Sequence, residues 1–367
     1  MKIDLNSVDV ENFMMHSHVV GTEAVYLIQP IHIGAKWTWD NRIFRSSVWN
    51  SQGELISASL PKFTNWGENP EHFPVPSSLD NLTFVQKVDG SALIVSKYNN
   101  NYILRTRGTL DASKMEKNGE EIEIFKATIL PKLNDHTRET WDVSYVFEWV
   151  SPKNRIVILY PEPDFYLVGI VHHEDYHLAP QYTLNNGAKA LGVKRPPHYQ
   201  FAHVQSIAEL ITDVQQWKGT EGVVAYSKDG QRLWKLKSDD YLARHRLKSE
   251  LSSFEKLIDF WLEIGHPSNY NQFFNSVQDL TDWETAVEHQ GNISKVIDAF
   301  KEVEKIIEGM DKFAYGLQYM ATRKEQALKV LAAYGNTNRA SFVFKMLDKK
   351  PLDNDDIKKL LYQVLKK

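Results

Sequence analysis

Five consecutive residues, Lys87-Val88-Asp89-Gly90-Ser91, place an amine where an apolar run (Leu82, Phe84, Val85) meets a turn. Glycine permits the unusual backbone geometry of such a turn. A lysine held there acts as a nucleophile when its surroundings keep it unprotonated. Its ordinary pKa near ~10.4 then has to fall close to neutrality, which takes about 4 kcal/mol of environment. Burial, neighbouring cations or a bound metal supply that. The same five residues make an ordinary hairpin turn when nothing joins them, so the chemistry depends on partners elsewhere.

Three later segments offer partners. Phe147-Glu148-Trp149-Val150 sets a carboxylate inside an apolar run, and strand alternation turns Glu148 away from the face of Phe147 and Trp149. Glu221-Gly222-Val223-Val224 heads a strand with a second acid. Trp234-Lys235-Leu236-Lys237-Ser238 follows the Asp229-Gly230 turn, and its period puts Lys235 and Lys237 on one face. Two like charges on one face are unfavourable unless they meet an anion; alone, they are the lysines of a protected sheet edge. A lysine nucleophile, two or three carboxylates and a lysine pair suit one reaction: they cradle a nucleoside triphosphate and a divalent metal and neutralise charge on the α-phosphate and the departing pyrophosphate. Carboxylates and water favour Mg²⁺ or Mn²⁺.

The ordered set KVDGS, FEWVSPKNRIV, EGVV and KLKS resembles the covalent nucleotidyltransferase superfamily of RNA ligases, DNA ligases and capping enzymes. Within it the chain is similar to the phage T4 RNA ligase 1 family, on the Lys-x-Asp-Gly-Ser motif, the run Pro152 to Val157, and Lys235 to Asp239 with Tyr241 beyond. The match covers roughly Arg45 to Tyr241. The resemblance implies that Lys87 attacks ATP and carries AMP, with Lys235 and Lys237 on the α-phosphate. It implies that Asp89, Glu148 and Glu221 hold the ribose and the metal, and that Gly90 lets the chain pass close to the nucleotide. Arg45, Lys62 and Arg107 fall where the family has basic residues near the triphosphate, although Ser46 stands where the family has glycine. Tyr166, with Phe165 as alternative, is the expected partner of the adenine ring. The implied activity is ATP-dependent joining of RNA 5′-phosphate and 3′-hydroxyl ends in RNA (tRNA) repair, through a lysyl-AMP intermediate and an adenylated RNA end. DNA ligase or GTP-dependent capping activity, and a non-catalytic RNA-binding role, are the alternatives.

The elements that must position these residues change character near residue 245. Before it, short β-rich runs (Ala92–Val95, Asn101–Leu104, Ile156–Tyr160, Phe165–Val171, Gly222–Tyr226) alternate with turn signals, and helical patterns are confined to about Leu110–Leu133 and Gln205–Trp217. After it the apolar period becomes helical, as in Leu251, Phe254, Leu257, Ile258 and Trp261. An α+β, antiparallel-rich nucleotidyltransferase (adenylation) domain over 1–245 is expected, followed by an all-α C-terminal domain of five to seven helices over 246–367 that selects the RNA substrate.

Composition sets the outer bounds. The chain has 367 residues, 42% hydrophobic and 25% charged, an ordinary globular balance. It has no cysteine, which removes disulfides, thiol nucleophiles and thiolate zinc sites. The start lacks an apolar signal segment and no apolar run reaches about 18 residues, so no secretory signal and no membrane span is expected, and cytoplasmic location (a host cytoplasm for a phage protein) and a monomer are. The net charge of −4 requires RNA to meet a local basic groove. His172-His173-Glu174-Asp175-Tyr176-His177 looks like a metal cluster but lacks helical spacing of its histidines, and is read as a loop.

Overall fold

The computed structural model describes all residues except 32–33, 115–118, 134–138, 252, 268, 281–282 and 366–367. It divides into two compact units, Met1–Leu242 and Ala243–Lys367. The first is an α+β unit of three antiparallel-rich sheets, and the second is helical. The junction expected at residue 245 falls inside one helix, α5 (Asp239–Leu251), that runs through the division.

The first sheet is β1 (Phe13–Val20), β2 (Glu23–Pro30), β3 (Ser47–Asn50) and β4 (Leu55–Ala58), paired in that order. The third sheet draws on β5 (Thr64–Asn65), β6 (Thr83–Gln86), β11 (His198–Tyr199), β12 (Gly222–Tyr226) and β13 (Leu233–Lys237), ordered β11-β6-β12-β13-β5. Between them in the chain, β7 (Ser91–Tyr98), β8 (Asn101–Arg105), β9 (Val143–Val150) and β10 (Asp164–His172) form the second sheet, ordered β10-β9-β7-β8. The β7–β8 turn is Asn99-Asn100, both with positive φ (47° and 62°), a conformation asparagine tolerates and tight hairpins require.

Alternation along β9 works as the sequence predicts. Phe147 and Trp149 are buried beneath α1 (Gly119–Thr128), where Phe125 meets Phe147 at 5.1 Å between centroids, while Glu148 faces the other way. Phe165 joins that same core against Phe125 and Trp149, so it is a packing residue and not a candidate for adenine. On β13, Trp234 and Leu236 pack into the core under α4 (Ile207–Gln215), leaving Lys235 and Lys237 on the opposite face.

Three expectations about elements change. Ile156–Tyr160 is apolar enough for a strand but forms none, because the Val157 and Ile158 N–H groups both donate to Asp89 Oδ2 at 2.8 Å instead of to a neighbouring strand. The helical stretch expected over 110–133 resolves into a 3-10 turn (Ala112–Lys114), α1 and the short α2 (Leu130–Leu133), with 115–118 outside the described residues. A helix absent from the sequence reading, α3 (Gln181–Leu191), buries Leu184, Ala188 and Leu191; its central Asn-Asn-Gly has weak helix propensity, and the apolar stripe outweighs it.

In the second unit, helices α6 (Phe254–Glu263), α7 (Tyr270–Leu280) and α8 (Trp283–Glu288) precede the 28-residue α9 (Gln290–Leu317). They are followed by α10 (Arg323–Tyr334), α11 (Asn338–Leu347) and α12 (Asn354–Leu365). Helix α9 supplies Ile293, Val296, Ile297, Val303 and Met310 to a core shared with Trp261, Phe273, Val343 and Leu360. Thr322 and Glu325 close a reciprocal capping box at the start of α10. Among the described residues, no helix is long and apolar enough to cross a membrane.

Candidate active site

A cavity of about 420 Å³ opens between the second and third sheets of the first unit. Arg45, Lys87, Asp89, Gly90, Arg107, Glu148 and Glu221 line it, all of them singled out by the sequence, together with apolar Leu60, Phe63, Val146 and Ile156. Segments 45, 87–90, 148 and 221 are remote in sequence, and strand pairing collects them: Lys87 N donates to Gly222 O at 2.8 Å just beyond the β6–β12 ladder.

Lys87 Nζ lies 2.7 Å from Glu221 Oε2, and the other oxygen of Glu221 takes Lys237 Nζ at 2.8 Å. Glu221 is 2% exposed and the two lysines about a fifth. One buried carboxylate therefore holds both ammonium groups. Gly222 follows it at φ +133°, where an added Cβ would lie 2.1 Å from Leu236 O, so Glu221-Gly222 is demanded by backbone as well as by charge.

Asp89 does something the sequence did not reveal. Its Oδ2 accepts from the Val157 and Ile158 N–H groups, and its Oδ1 accepts from Tyr241 Oη at 2.8 Å. Its own N–H donates to Tyr160 Oη at 3.2 Å. With three protein donors on it and 4% exposure, Asp89 anchors the lysine loop to the 151–160 segment and to the start of α5. Ser238 completes this link: its Oγ accepts from Tyr241 N and donates to Thr220 O, capping α5 beside Glu221. Ser91 Oγ donates to Asn154 Oδ1 at 3.0 Å, joining the lysine motif to the Pro-x-Asn-Arg segment directly.

Gly90 is not in the left-handed region, contrary to the turn argument from sequence. Its need for glycine is spatial: a Cβ would fall 2.3 Å from Trp149 O. Its N–H donates to Glu148 Oε1 at 3.1 Å. Desolvation lifts Glu148 to about 7, with Glu221 adding to the rise and Lys87 opposing it.

The cations are crowded. Burial first, then Lys62, Arg45, Lys237 and Lys87, bring Lys235 down to about 7. Burial, with Arg107 next, draws Arg45 down to about 10. Lys62 is lowered by burial, with Glu68 countering and Arg45 and Arg107 adding. Among the described residues, Arg45, Lys62, Arg107 and Lys235 make no ion pair with a carboxylate. Such a concentration of uncompensated charge fits a polyanion, and triphosphate is the one the sequence points to. Lys62 and Lys235 flank the cavity through Phe63: Lys62 lines the adjoining cleft with that ring, and Lys235 Nζ stands 5.8 Å from it.

Several expectations are not brought to the cavity in full: Lys62, Lys235 and Lys237 lie beside it and not in its lining. Tyr166 shares the Glu148 face as its cross-strand partner, but it does not line the cavity, and Lys194 Nζ lies 5.9 Å from its ring. Among the described residues, no group of three or more His, Asp or Glu side chains converges as a metal ligand set. Asp89 has its oxygens committed to protein donors and Glu221 has both on lysines, which leaves Glu148 Oε2 as the carboxylate oxygen open to a cation or its water. The histidine loop 172–177 is engaged elsewhere: His173 Nε2 pairs with Ser144 Oγ at 2.7 Å, and His177 Nε2 with Gln231.

Sequence reasoning also missed Arg105. It is fully buried, has no acid partner among the described residues, and desolvation brings it down to about 9. Its guanidinium bonds Ser57 Oγ (2.8 Å), Ser46 Oγ (2.6 Å) and Ser46 O (3.1 Å), and Ser46 Oγ donates in turn to Arg107 O (2.8 Å). Ser46 is extended (φ −176°), a conformation open to any residue, so serine in place of glycine is accommodated and its hydroxyl ties Arg105 to the Arg107 backbone. The only sequence signal was an arginine ending an apolar strand.

A lysine held on a buried carboxylate, facing a cation-rimmed cavity between antiparallel sheets, is the arrangement that the sequence motifs lead one to expect of a nucleotidyltransferase-type site. The chain belongs to the RNA ligase family, in its T4 RNA ligase 1 branch, whose sequence profile matches residues 44–251, more than half of the chain. It is 27% identical to a putative bifunctional polynucleotide kinase/RNA ligase of Autographa californica nuclear polyhedrosis virus, over 58% of this chain and 32% of the relative. It is 26% identical to an RNA ligase of Rhodothermus phage RM378, over 58% of this chain and 61% of the relative. The chain thus spans about a third and about three fifths of these relatives. An archaeal ATP-dependent RNA ligase structure aligns with 96% of this chain and 92% of its own, at 13% identity and a TM-score of 0.45.

Proposed function

We propose that this protein is an ATP-dependent RNA ligase that uses Lys87 as its nucleophile. The observation that carries the reading is the Lys87–Glu221–Lys237 arrangement at 2.7 and 2.8 Å, with Lys87 and Glu221 on the wall of the cationic cavity. In the first step the Lys87 amine forms a P–N bond to the α-phosphorus of ATP as the bond to pyrophosphate breaks. Glu221 Oε2 is the nearest acceptor for the proton the amine sheds. Lys235, Lys237, Arg45 and Lys62 take up charge on the phosphates. An oxygen of an RNA 5′-phosphate next displaces Lys87 from AMP, and a 3′-hydroxyl then attacks that activated phosphate, releasing AMP. A divalent cation, Mg²⁺ or Mn²⁺, would add Lewis-acid neutralisation of the phosphates, and Glu148 is the residue with an oxygen to offer it or its water shell. Tyr166 remains the aromatic proposed beside the base, on the strength of its place opposite Glu148. RNA repair in a cytoplasm, with broken tRNA as one substrate class, is the proposed setting, and the helical unit is the proposed selector of the RNA.

Incubation with α-labelled ATP and Mg²⁺ should label the protein through an acid-labile, base-stable bond, and Lys87→Ala should abolish the label. A label that survives the substitution overturns the assignment. A ligation panel of single-stranded, nicked and broken-loop RNA, with DNA as control, then defines the substrate.

A further inference from the structure

Two guanidinium groups lie over one indole at the edge of the site. Arg42 Cζ is 3.8 Å from the Trp39 ring centroid and Arg232 Cζ is 4.3 Å from it. Arg42 comes from the 3-10 turn Asn41–Arg45, and Arg232 directly precedes β13. Trp39 and Arg42 lie ahead of residues 44–251, so the family match does not include them.

Among the described residues, neither arginine forms an ion pair with a carboxylate, and the Arg232 guanidinium makes no hydrogen bond to the protein. Arg42 donates to Trp39 O. Asp40 and Asp229 act on the pair only at longer range, and Asp229 is already held by Ser227 Oγ and Gln231 N. A cation over an indole gains about 0.5–2 kcal/mol. That interaction leaves most of the donors of two half-buried, mutually repelling guanidinium groups unused.

The stack is continuous with the active site. The cleft lined by Trp39, Arg42, Lys62, Phe63 and Arg232 shares Phe63 with the nucleotide cavity. Lys62 N donates to Arg42 O at 2.8 Å, and Lys62 Nζ lies 5.3 Å from the Trp37 ring. Cations thus alternate with Trp39, Trp37 and Phe63 from the stack to the cavity. Grooves for single-stranded nucleic acid combine backbone phosphates on cations with bases on aromatic faces. The cleft itself holds only about 10 Å³, too little for a base, and the unused arginine donors suit a backbone phosphate instead.

We propose that Trp39, Arg42 and Arg232 form a docking site for the sugar-phosphate backbone of single-stranded RNA, outside the reacting end. The inference rests on the RNA ligase reading. The residues reach their positions without touching Lys87 or Glu221, so their role separates from adenylation.

The test uses the full chain, as wild type, Arg232→Ala and Arg232→Lys. Binding of a fluorescein-labelled, 5′-phosphorylated single-stranded oligoribonucleotide is followed by anisotropy across a salt series, beside labelled lysyl-AMP formation. Arg232→Ala should weaken RNA binding about five- to tenfold and lower the slope of log K against log salt by about 0.7 for each phosphate that is no longer neutralised. Arg232→Lys should recover part of the affinity, and lysyl-AMP formation should stay within about twofold of wild type in both. Unchanged RNA affinity with normal lysyl-AMP overturns the docking site. A raised KM for ATP with unchanged RNA affinity assigns the stack to the triphosphate and overturns it as well. A wild type that forms no lysyl-AMP refutes the ligase reading itself, and this inference with it.

Discussion

Lys87 and Glu221 form a 2.7 Å ion pair in which the carboxylate is 2% exposed and the lysine 21%. Because Lys237 occupies the second oxygen, the carboxylate balances two cations that would otherwise repel. In the proposed reaction, attack on phosphorus would require Lys87 to exchange this partner for substrate, and the pair would set the position from which it does so.

Glu221→Gln removes the carboxylate that both lysines share. Loss of one partner from a buried pair costs about 3–5 kcal/mol, and the partial exposure of the lysines places the expected loss near about 3 kcal/mol. Displacement of the nucleophile by as little as ~1 Å costs on the order of 10²-fold in rate. Stability to urea and the rate of lysyl-AMP formation should both fall; a variant that labels at the wild-type rate removes Glu221 from the site.

Gly90→Ala tests the close passage of the lysine loop over β9. The new Cβ would meet Trp149 O at 2.3 Å and Val150 Cγ1 at 2.9 Å, and a carbonyl inside a sheet has little freedom to move. Overpacking of this kind costs about 1–3 kcal/mol and shifts the Gly90 N–H away from Glu148. Adenylation should drop about 10²-fold while far-ultraviolet circular dichroism stays native; wild-type adenylation would show that the loop accommodates the methyl.

Without nucleotide, Glu148 should add a falling limb below about pH 7 and Lys235 a rising limb above it to the pH dependence of stability, superposed on the rise below about pH 6.5 that buried His173, held down to about 3, supplies. Glu148 rises from 4.5 to about 7 on folding, so between those values the folded chain holds the proton the unfolded chain has lost, and stability falls as pH rises. Lys235 drops from 10.5 to about 7, so above pH 7 the unfolded chain binds the extra proton and stability rises with pH. Urea midpoints measured across pH should show the slope between about pH 4.5 and 7 become more positive in Glu148→Gln and the slope above pH 7 become less positive in Lys235→Met. A pH profile unchanged by both substitutions contradicts these environments. ATP, which favours the charged form of Lys235, should flatten the upper limb.

Much of the site was legible because its signals are local. Lys87 beside Asp89-Gly90, Glu148 between two apolar neighbours, and Lys235 and Lys237 two residues apart each state their chemistry or their face through residue type and strand period. Ile156–Tyr160 misled for the opposite reason: its apolar residues suit a strand, but its backbone donors are taken by a carboxylate 68 and 69 positions earlier. Helix α3 was hidden because its middle is Asn-Asn-Gly, and only burial of Leu184, Ala188 and Leu191 against the sheet makes it stable.

The sequence by itself determined which groups are available and which face each one takes, since side-chain chemistry and alternation need no long-range information. The tertiary structure alone decided what those groups do to one another. Asp89, expected at the ribose or the metal, became the anchor of three segments because Val157, Ile158 and Tyr241 reach it from across the fold. Ser46 found Arg105 and Arg107, and Trp39 gathered Arg42 and Arg232. Hydrogen bonds and charge balance act over a few ångströms of space, and no spacing along the chain encodes which distant donors will share that space.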